Sequence, residues 1–235
     1  MELFIITLLH LLMEVQSYKV PNLKVSPDVI RESNSVHLIC ESPVDVKVSL
    51  CYFYSNEEEN TNFSQSCQLH LTGTELLLWT REKSPVSLNI RCFYTINENG
   101  IHKPSPYSPP VTLTILDTLQ KPSISVADST DQLIISCEIP LTVKAEFICN
   151  LYTEYGPLKQ SLSQRCTQTG EHQCIFYMSL SEIFTHKQTV SSRQLSCDYS
   201  VKTDPENEMN LRSPRSDVYP VRDLYNSQIN TVAIN

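Results

Sequence analysis

Nine cysteines carry most of the chemistry that this 235-residue chain could do. Thiols bind metals, attack substrates or pair with one another. Metal binding asks for ligands at short, fixed spacing, and no CxxC pair occurs. His37, His70, His102, His172 and His186 form no HxxxH pair and no cluster with cysteine at zinc spacing. No structural metal site is expected. Nucleophilic attack asks for a depressed thiol beside a fixed base. The nearest combination, Cys166 with His172, lies in a polar stretch that supplies no fixed geometry, so no catalytic residue is assigned. The four glycines, Gly73, Gly100, Gly156 and Gly170, are too scattered for a phosphate-cradling loop, which excludes nucleotide-binding folds. Glu57, Glu58 and Glu59 read as a solvated loop, since a calcium site needs ligands from several directions. No cofactor is implied.

Pairing is what remains, and nine thiols place the chain in an oxidising compartment. The N-terminus agrees. MELFIITLLHLLMEVQS reads as a signal peptide over residues 1–17, with small residues at Val15 and Ser17 that predict a mature chain beginning at Tyr18. It departs from the usual pattern in lacking a basic residue before the apolar run. Lys plus Arg is 18 against Asp plus Glu 26, a charge of -8; removing Glu2 and Glu14 leaves 18 minus 24, or -6. That balance argues against nucleic acid or an anionic membrane as partner. No later stretch reaches the apolar length of a membrane span, and residues 222–235 form a polar tail, so a secreted chain is expected. Asn62-Phe63-Ser64 is a glycosylation sequon in a polar segment.

The elements that hold these cysteines repeat. Each copy spans about one hundred residues and opens on a proline, Pro21 or Pro122, before a strand that ends in cysteine. SVHLIC puts Val36, Leu38 and Cys40 on one face, and QLIISC puts Leu133, Ile135 and Cys137 on the matching one. VSLCYFY with Cys51 and EFICNLY with Cys149 follow. Leu88, Ile90, Cys92 and Tyr94 later share a face, as do Leu195, Cys197, Tyr199 and Val201. Both copies close on a serine-proline signature, SPYSPPVTLTI and SPRSDVYPV. Helical periodicity is nearly absent: TGTELLLW and SLSEIFTH read as short helical turns linking strands, with Leu77 and Trp79 as core plugs. The reading is therefore all-β, two tandem sandwiches over 18–116 and 122–221 joined by 117–121.

PNLKVSPDVIRESNSVHLICESP resembles the first two strands of an immunoglobulin domain, and RCFYTINENGIHKPSPYSPPVTLTI is similar to the last two strands of leukocyte and killer-cell immunoglobulin-like receptors. The resemblance implies Cys40 with Cys92 and Cys137 with Cys197 as bridges between strands B and F. Cys51 and Cys149 stand where the strand C tryptophan would be. A second bridge per domain then leaves Cys67 for Cys51. In the second domain SCQLHLTGTEL matches QCIFYMSLSEI, which favours Cys149 with Cys174; the alternative, Cys149 with Cys166, requires an insertion inside a strand. Cys166 is left unpaired on an exposed loop, with a cap by a small thiol or a disulfide to a second chain both open. Lys159, Arg165 and His172 are expected to favour its thiolate.

A non-enzymatic extracellular recognition protein that binds a protein ligand is the leading reading. The binding surface is expected at the B–C loops (43–47 and 140–144) and F–G loops (97–107 and 203–212), or at the elbow over 116–122. A cytokine-binding receptor, which would pair Cys40 with Cys51, and a secreted plasma carrier or inhibitor are the alternatives.

Overall fold

The structure is a computed structural model that describes residues 19–55, 61–129, 132–183, 194–202 and 211–220. The signal-peptide reading, the Glu57–Glu59 run, most of the second F–G loop and the 222–235 tail lie outside the described residues. The chain divides into two compact units, Met1–Glu82 with Leu88–Leu113 and Lys83–Ser87 with Thr114–Asn235.

In the first domain the strands are β1 (Asn22–Ser26), β2 (Val29–Ile30), β3 (Ser35–Glu41), β4 (Val48–Ser55), β5 (Thr61–Ser64), β6 (Gln68–Thr72), β7 (Val86–Glu98), β8 (Ile101–Pro104) and β9 (Val111–Ile115). One sheet runs β1-β3-β6, and the other β2-β9-β7-β4-β5 with β8 paired to β7. The second domain repeats the plan with β10 (Ser123–Asp128), β11 (Leu133–Ile139), β12 (Phe147–Thr153), β13 (Gly156–Leu162), β14 (Gln164–Arg165), β15 (His172–Met178), β16 (Gln194–Val201) and β17 (Tyr219–Pro220). Its sheets run β10-β11-β15-β14 and β13-β12-β16-β17. Period-2 alternation is visible in β3, where Val36, Leu38 and Cys40 are buried between half-buried neighbours.

Two bridges tie the sheets of each domain together. Cys40 is joined to Cys92 and Cys51 to Cys67; Cys137 is joined to Cys197 and Cys149 to Cys174. Within a sheet the bridged cysteines are neighbours, since the Cys40 amide donates to Cys67 O at 2.9 Å and Cys137 stands opposite Cys174. The two bridges of a domain therefore lie side by side in its core. Cys40 is not paired with Cys51, which removes the distinguishing mark of the cytokine-receptor alternative.

The serine-proline signature solves a pairing problem beside β7 and β16. Proline has no N–H, so a strand interrupted by it loses ladder bonds. Serines replace them. Ser105 and Ser108 donate their amides to Tyr94 O and Cys92 O at 2.8 Å, and their hydroxyls accept from the Tyr94 and Cys92 amides at 3.1 and 2.9 Å. Ser213 and Ser216 do the same for Tyr199 and Cys197.

One expectation is corrected. TGTELLLW is not a mere turn: α1 spans Gly73–Thr80 and opens on a capping box, in which Glu75 N donates to Thr72 Oγ1 at 3.2 Å and Thr72 N donates to Glu75 Oε2 at 2.7 Å. The Thr72 amide and, after it, the Thr72 hydroxyl, which donates to Glu75 Oε2 at 3.0 Å, hold the Glu75 carboxyl below its ordinary range. Leu76 is the residue sealed in the core, while Leu77 and Trp79 are only half-buried. Gly73 is required because a Cβ there would meet Arg31 O at 2.6 Å. The second copy carries the same box at Ser179 and Glu182, ahead of the short α2 (Leu180–Ile183).

Candidate binding surface

Strand alternation fixes which side chains leave each sandwich. Cys51 and Phe53 of β4 face the core, so Tyr52 faces out; Cys92 and Tyr94 of β7 face in, so Phe93 faces out. Register then aligns Tyr52 opposite Phe93 on one side and Phe63 of β5 on the other. Tyr52 stacks on Phe93 with centroids 4.8 Å apart and rings 9° from parallel, and meets Phe63 at 6.4 Å. Tyr107, from the serine-proline segment, stands edge-on to Phe93 at 5.3 Å and to Tyr54 at 4.9 Å. The stacked Tyr52–Phe93 pair and the two edge-on contacts of Tyr107 are favoured aromatic geometries, and Phe63 lies tilted against Tyr52. The ladder is open to solvent: Phe63 is 63% exposed and Tyr107 46%. Contiguous exposed aromatic surface of this kind is what partner-binding sites are built from.

The second domain fills the same register with polar groups. Asn150 stands opposite Asp198 and Gln160, as Tyr52 does opposite Phe93 and Phe63. Gln160 Nε2 donates to Asn150 Oδ1 at 2.6 Å, and Asn150 Nδ2 donates to Asp198 Oδ1 at 2.9 Å. Arg212 Nε and Nη2 donate to the two Asp198 oxygens at 2.9 and 3.1 Å, and Nη2 also donates to the Tyr152 hydroxyl. Arg215 lies over the Tyr152 ring, 3.9 Å from its centroid, where Tyr107 meets Tyr54 in the first domain. Asp198 is sealed, with 4% of its side chain exposed against 50% for Arg212. A buried carboxylate with a bidentate arginine and an amide donor is satisfied from within the chain.

Structural comparison decides the fold. The human OSCAR ligand-binding domain superposes with a TM-score of 0.52 at 18% identity, over 87% of this chain and 100% of that one. The chain has a tandem immunoglobulin-like fold. Murine CEACAM1b (10% identity, TM-score 0.37, 84% of this chain and 96% of that one) and a marsupial T cell receptor (13%, 0.38, 83% and 72%) also match, at a likeness that carries no argument. No family model matches the chain, and no curated protein matches it.

On this immunoglobulin-like frame the first B–C turn exposes Val44 completely, and the first F–G connection is a hairpin whose turn residues Asn99 and Gly100 both have positive φ, with Ile101 63% exposed beyond it. The second F–G loop lies largely outside the described residues. Asn62 sits on β5, an edge strand, next to Phe63 and facing the opposite way, so the sequon and the aromatic ladder leave β5 on different sides.

Cys166 has no disulfide and is half-buried in a turn after β14, rather than on an open loop. Its thiol is held below the ordinary range, and the cause differs from the expected one. Hydrogen bonds from the Thr169 and Gln168 backbone do it, with Glu171 opposing. The cations are engaged elsewhere: Arg165 donates to Gly170 O and Thr142 O, and Lys159 donates to Tyr177 O. His172 is buried edge-on against Phe147, its Nε2 2.8 Å from Val143 O. It is part of the core. Among the described residues no helix is long and apolar enough to cross a membrane.

Tyr52, Phe63, Phe93 and Tyr107 are the surface residues that sequence reading missed. The signal was present, because outward positions of a half-exposed strand are usually polar and these are aromatic.

Proposed function

We propose that this chain is an extracellular, non-enzymatic recognition protein that binds a protein ligand through the aromatic face of its first domain. One observation carries the reading. Tyr52, Phe93, Phe63 and Tyr107 form a pre-stacked ladder, with Phe63 and Tyr107 exposed at its ends and Tyr52 and Phe93 half-buried between them. Such rings offer large contact area at low entropic cost, as interface hot spots do. The immunoglobulin-like frame, its four bridges and the signal-like N-terminus support secretion, with Tyr18 as the first mature residue and a glycan on Asn62. The orientation of Asn62 leaves the ladder open beside such a glycan.

A second reading places contact at the loops, favoured by the full exposure of Val44 and by Ile101 at the F–G hairpin. The experiment uses the mature full chain as bait on extracellular fluid and leukocyte surfaces. Captured protein is identified by mass and mapped by cross-linking. Cross-links confined to β5 and the Tyr107 segment support the face. Cross-links confined to 43–47 and 99–102 would move the site to the loops. The thiol of Cys166 is proposed to carry either a small-thiol cap or a link to a second chain; non-reducing electrophoresis beside Cys166→Ser distinguishes them.

A further inference from the structure

His37 and His70 are far apart in the chain, and their spacing shows nothing. The sheet brings them together. They are register partners in the antiparallel pair β3–β6, with ring centroids 6.0 Å apart and planes 58° from parallel. Hydrogen-bonded and non-bonded pairs alternate along an antiparallel ladder. Cys40 N donates to Cys67 O at one end of this ladder, and Gly73 N donates to Asn34 O at the other, both at 2.9 Å. His37 with His70 lies three pairs in from either end, so both counts make it a non-bonded pair. There the Cα atoms approach to about 4.5 Å and side chains stand closest.

We propose that His37 and His70 form a bidentate site for a divalent transition-metal ion on the outer face of the β1-β3-β6 sheet. Metal–imidazole nitrogen bonds near 2.0–2.1 Å put two ring centroids about 4.5 to 6 Å apart for angles between about 90 and 140°. The 6.0 Å observed is at the wide end of that range, within reach of a small rotation about the side-chain bonds. The rings are accessible, His70 exposed and His37 half-buried. The backbone beneath them is held: Val36 and Leu38 are packed into the core, and Cys40 and Cys67 are each bridged to the opposite sheet. Lys24 on the same face is drawn onto Glu41 at 2.6 Å. The net charge of -8 favours a cation anywhere on the chain.

Among the described residues no group of three or more His, Cys, Asp and Glu side chains converges. The protein therefore supplies two imidazoles, and water completes the shell. Imidazole with water suits Cu2+, Ni2+ and Zn2+, with Cu2+ held most tightly in the general stability order. This site is separate from the aromatic face and does not depend on its role.

The test is calorimetric titration of the full oxidised chain with CuCl2 in a non-coordinating buffer, beside His37→Gln and His70→Gln. Near-ultraviolet circular dichroism first checks that each variant is folded. A site built on both rings gives saturable one-to-one binding in the wild type and at least a tenfold loss of affinity in either variant. Electron paramagnetic resonance of the wild-type complex then shows two nitrogen ligands. Absence of saturable binding, or a variant that binds as the wild type does, overturns the proposal. His70 is exposed, so its variant keeps the test valid if the His37 variant fails to fold.

Discussion

The two domains share a frame and differ in what stands on it. At equivalent register positions the first carries Tyr52, Phe93 and Phe63, and the second carries Asn150, Asp198 and Gln160; the serine-proline segments add Tyr107 to the one and Arg215 to the other. The buried side is nearly unchanged, with two bridges in each core and an F-strand tyrosine whose hydroxyl donates to the chain just before the first strand. Tyr94 reaches Lys19 O at 2.9 Å and Tyr199 reaches Gln120 O at 2.8 Å. The comparison teaches that this core constrains the inward half of each strand and leaves the outward half free. One domain uses that freedom to expose rings, the other to close a charge network on itself.

The largest effect should be the one the domains share. Replacing Cys40 and Cys92 by alanine, or Cys137 and Cys197, opens loops of 52 and 60 residues. Each pair should cost its own domain about 4 kcal/mol, read from urea unfolding. A loss in one domain and not the other would break the claim of a common frame. The tighter Cys51–Cys67 and Cys149–Cys174 bridges, with separations of 16 and 25, should cost about 3 kcal/mol each.

The next effect separates the domains. Arg212→Ala leaves the sealed Asp198 carboxylate without its cation and should cost about 3 kcal/mol. Asp198→Asn should cost less, because the half-exposed Arg212 guanidinium can return to water. Pro104, the position before Ser105 as Arg212 is before Ser213, is exposed, and Pro104→Ala should stay within about 0.5 kcal/mol. Equal losses at Arg212 and Pro104 would show that the network contributes nothing particular to the second domain.

Smaller still are the buried tyrosines. Tyr94→Phe and Tyr199→Phe each remove one hydrogen bond and should cost about 1 kcal/mol at neutral pH. Burial raises both phenols above the ordinary value, for Tyr94 with a lesser push from Asp45. A raised folded value means that stability is intact below the ordinary tyrosine pKa of about 10 and falls as pH rises beyond it, where the unfolded chain ionises first. The phenylalanine variants should lose part of that alkaline decline in thermal unfolding scans.

The inward half of the fold was legible because burial imposes a period of two. Leu88, Ile90, Cys92 and Tyr94 could be assigned to one face without a structure, and all four are sealed. The α1 helix was not legible from periodicity, since three consecutive leucines point in every direction. Its start was written in Thr72 and Glu75, as it was in Ser179 and Glu182. The outer face was legible only in part: aromatic residues at outward strand positions mark it, but that Tyr52, Phe63 and Phe93 meet, with Tyr107 of the serine-proline segment against them, follows from long-range pairing that no local pattern reports. His37 and His70 were hidden in the same way.

The comparison is tested most directly by the dissociation constant of the captured ligand for four variants of the full chain: Phe63→Ala and Tyr107→Ala in the first domain, Gln160→Ala and Arg215→Ala in the second. Loss of a ring from the ladder should remove about 2 kcal/mol, or roughly thirtyfold in affinity, and the second-domain variants should bind as the wild type does. Unchanged binding in both ring variants, with weakening at Arg215 or Gln160, would place recognition on the second domain and contradict the account.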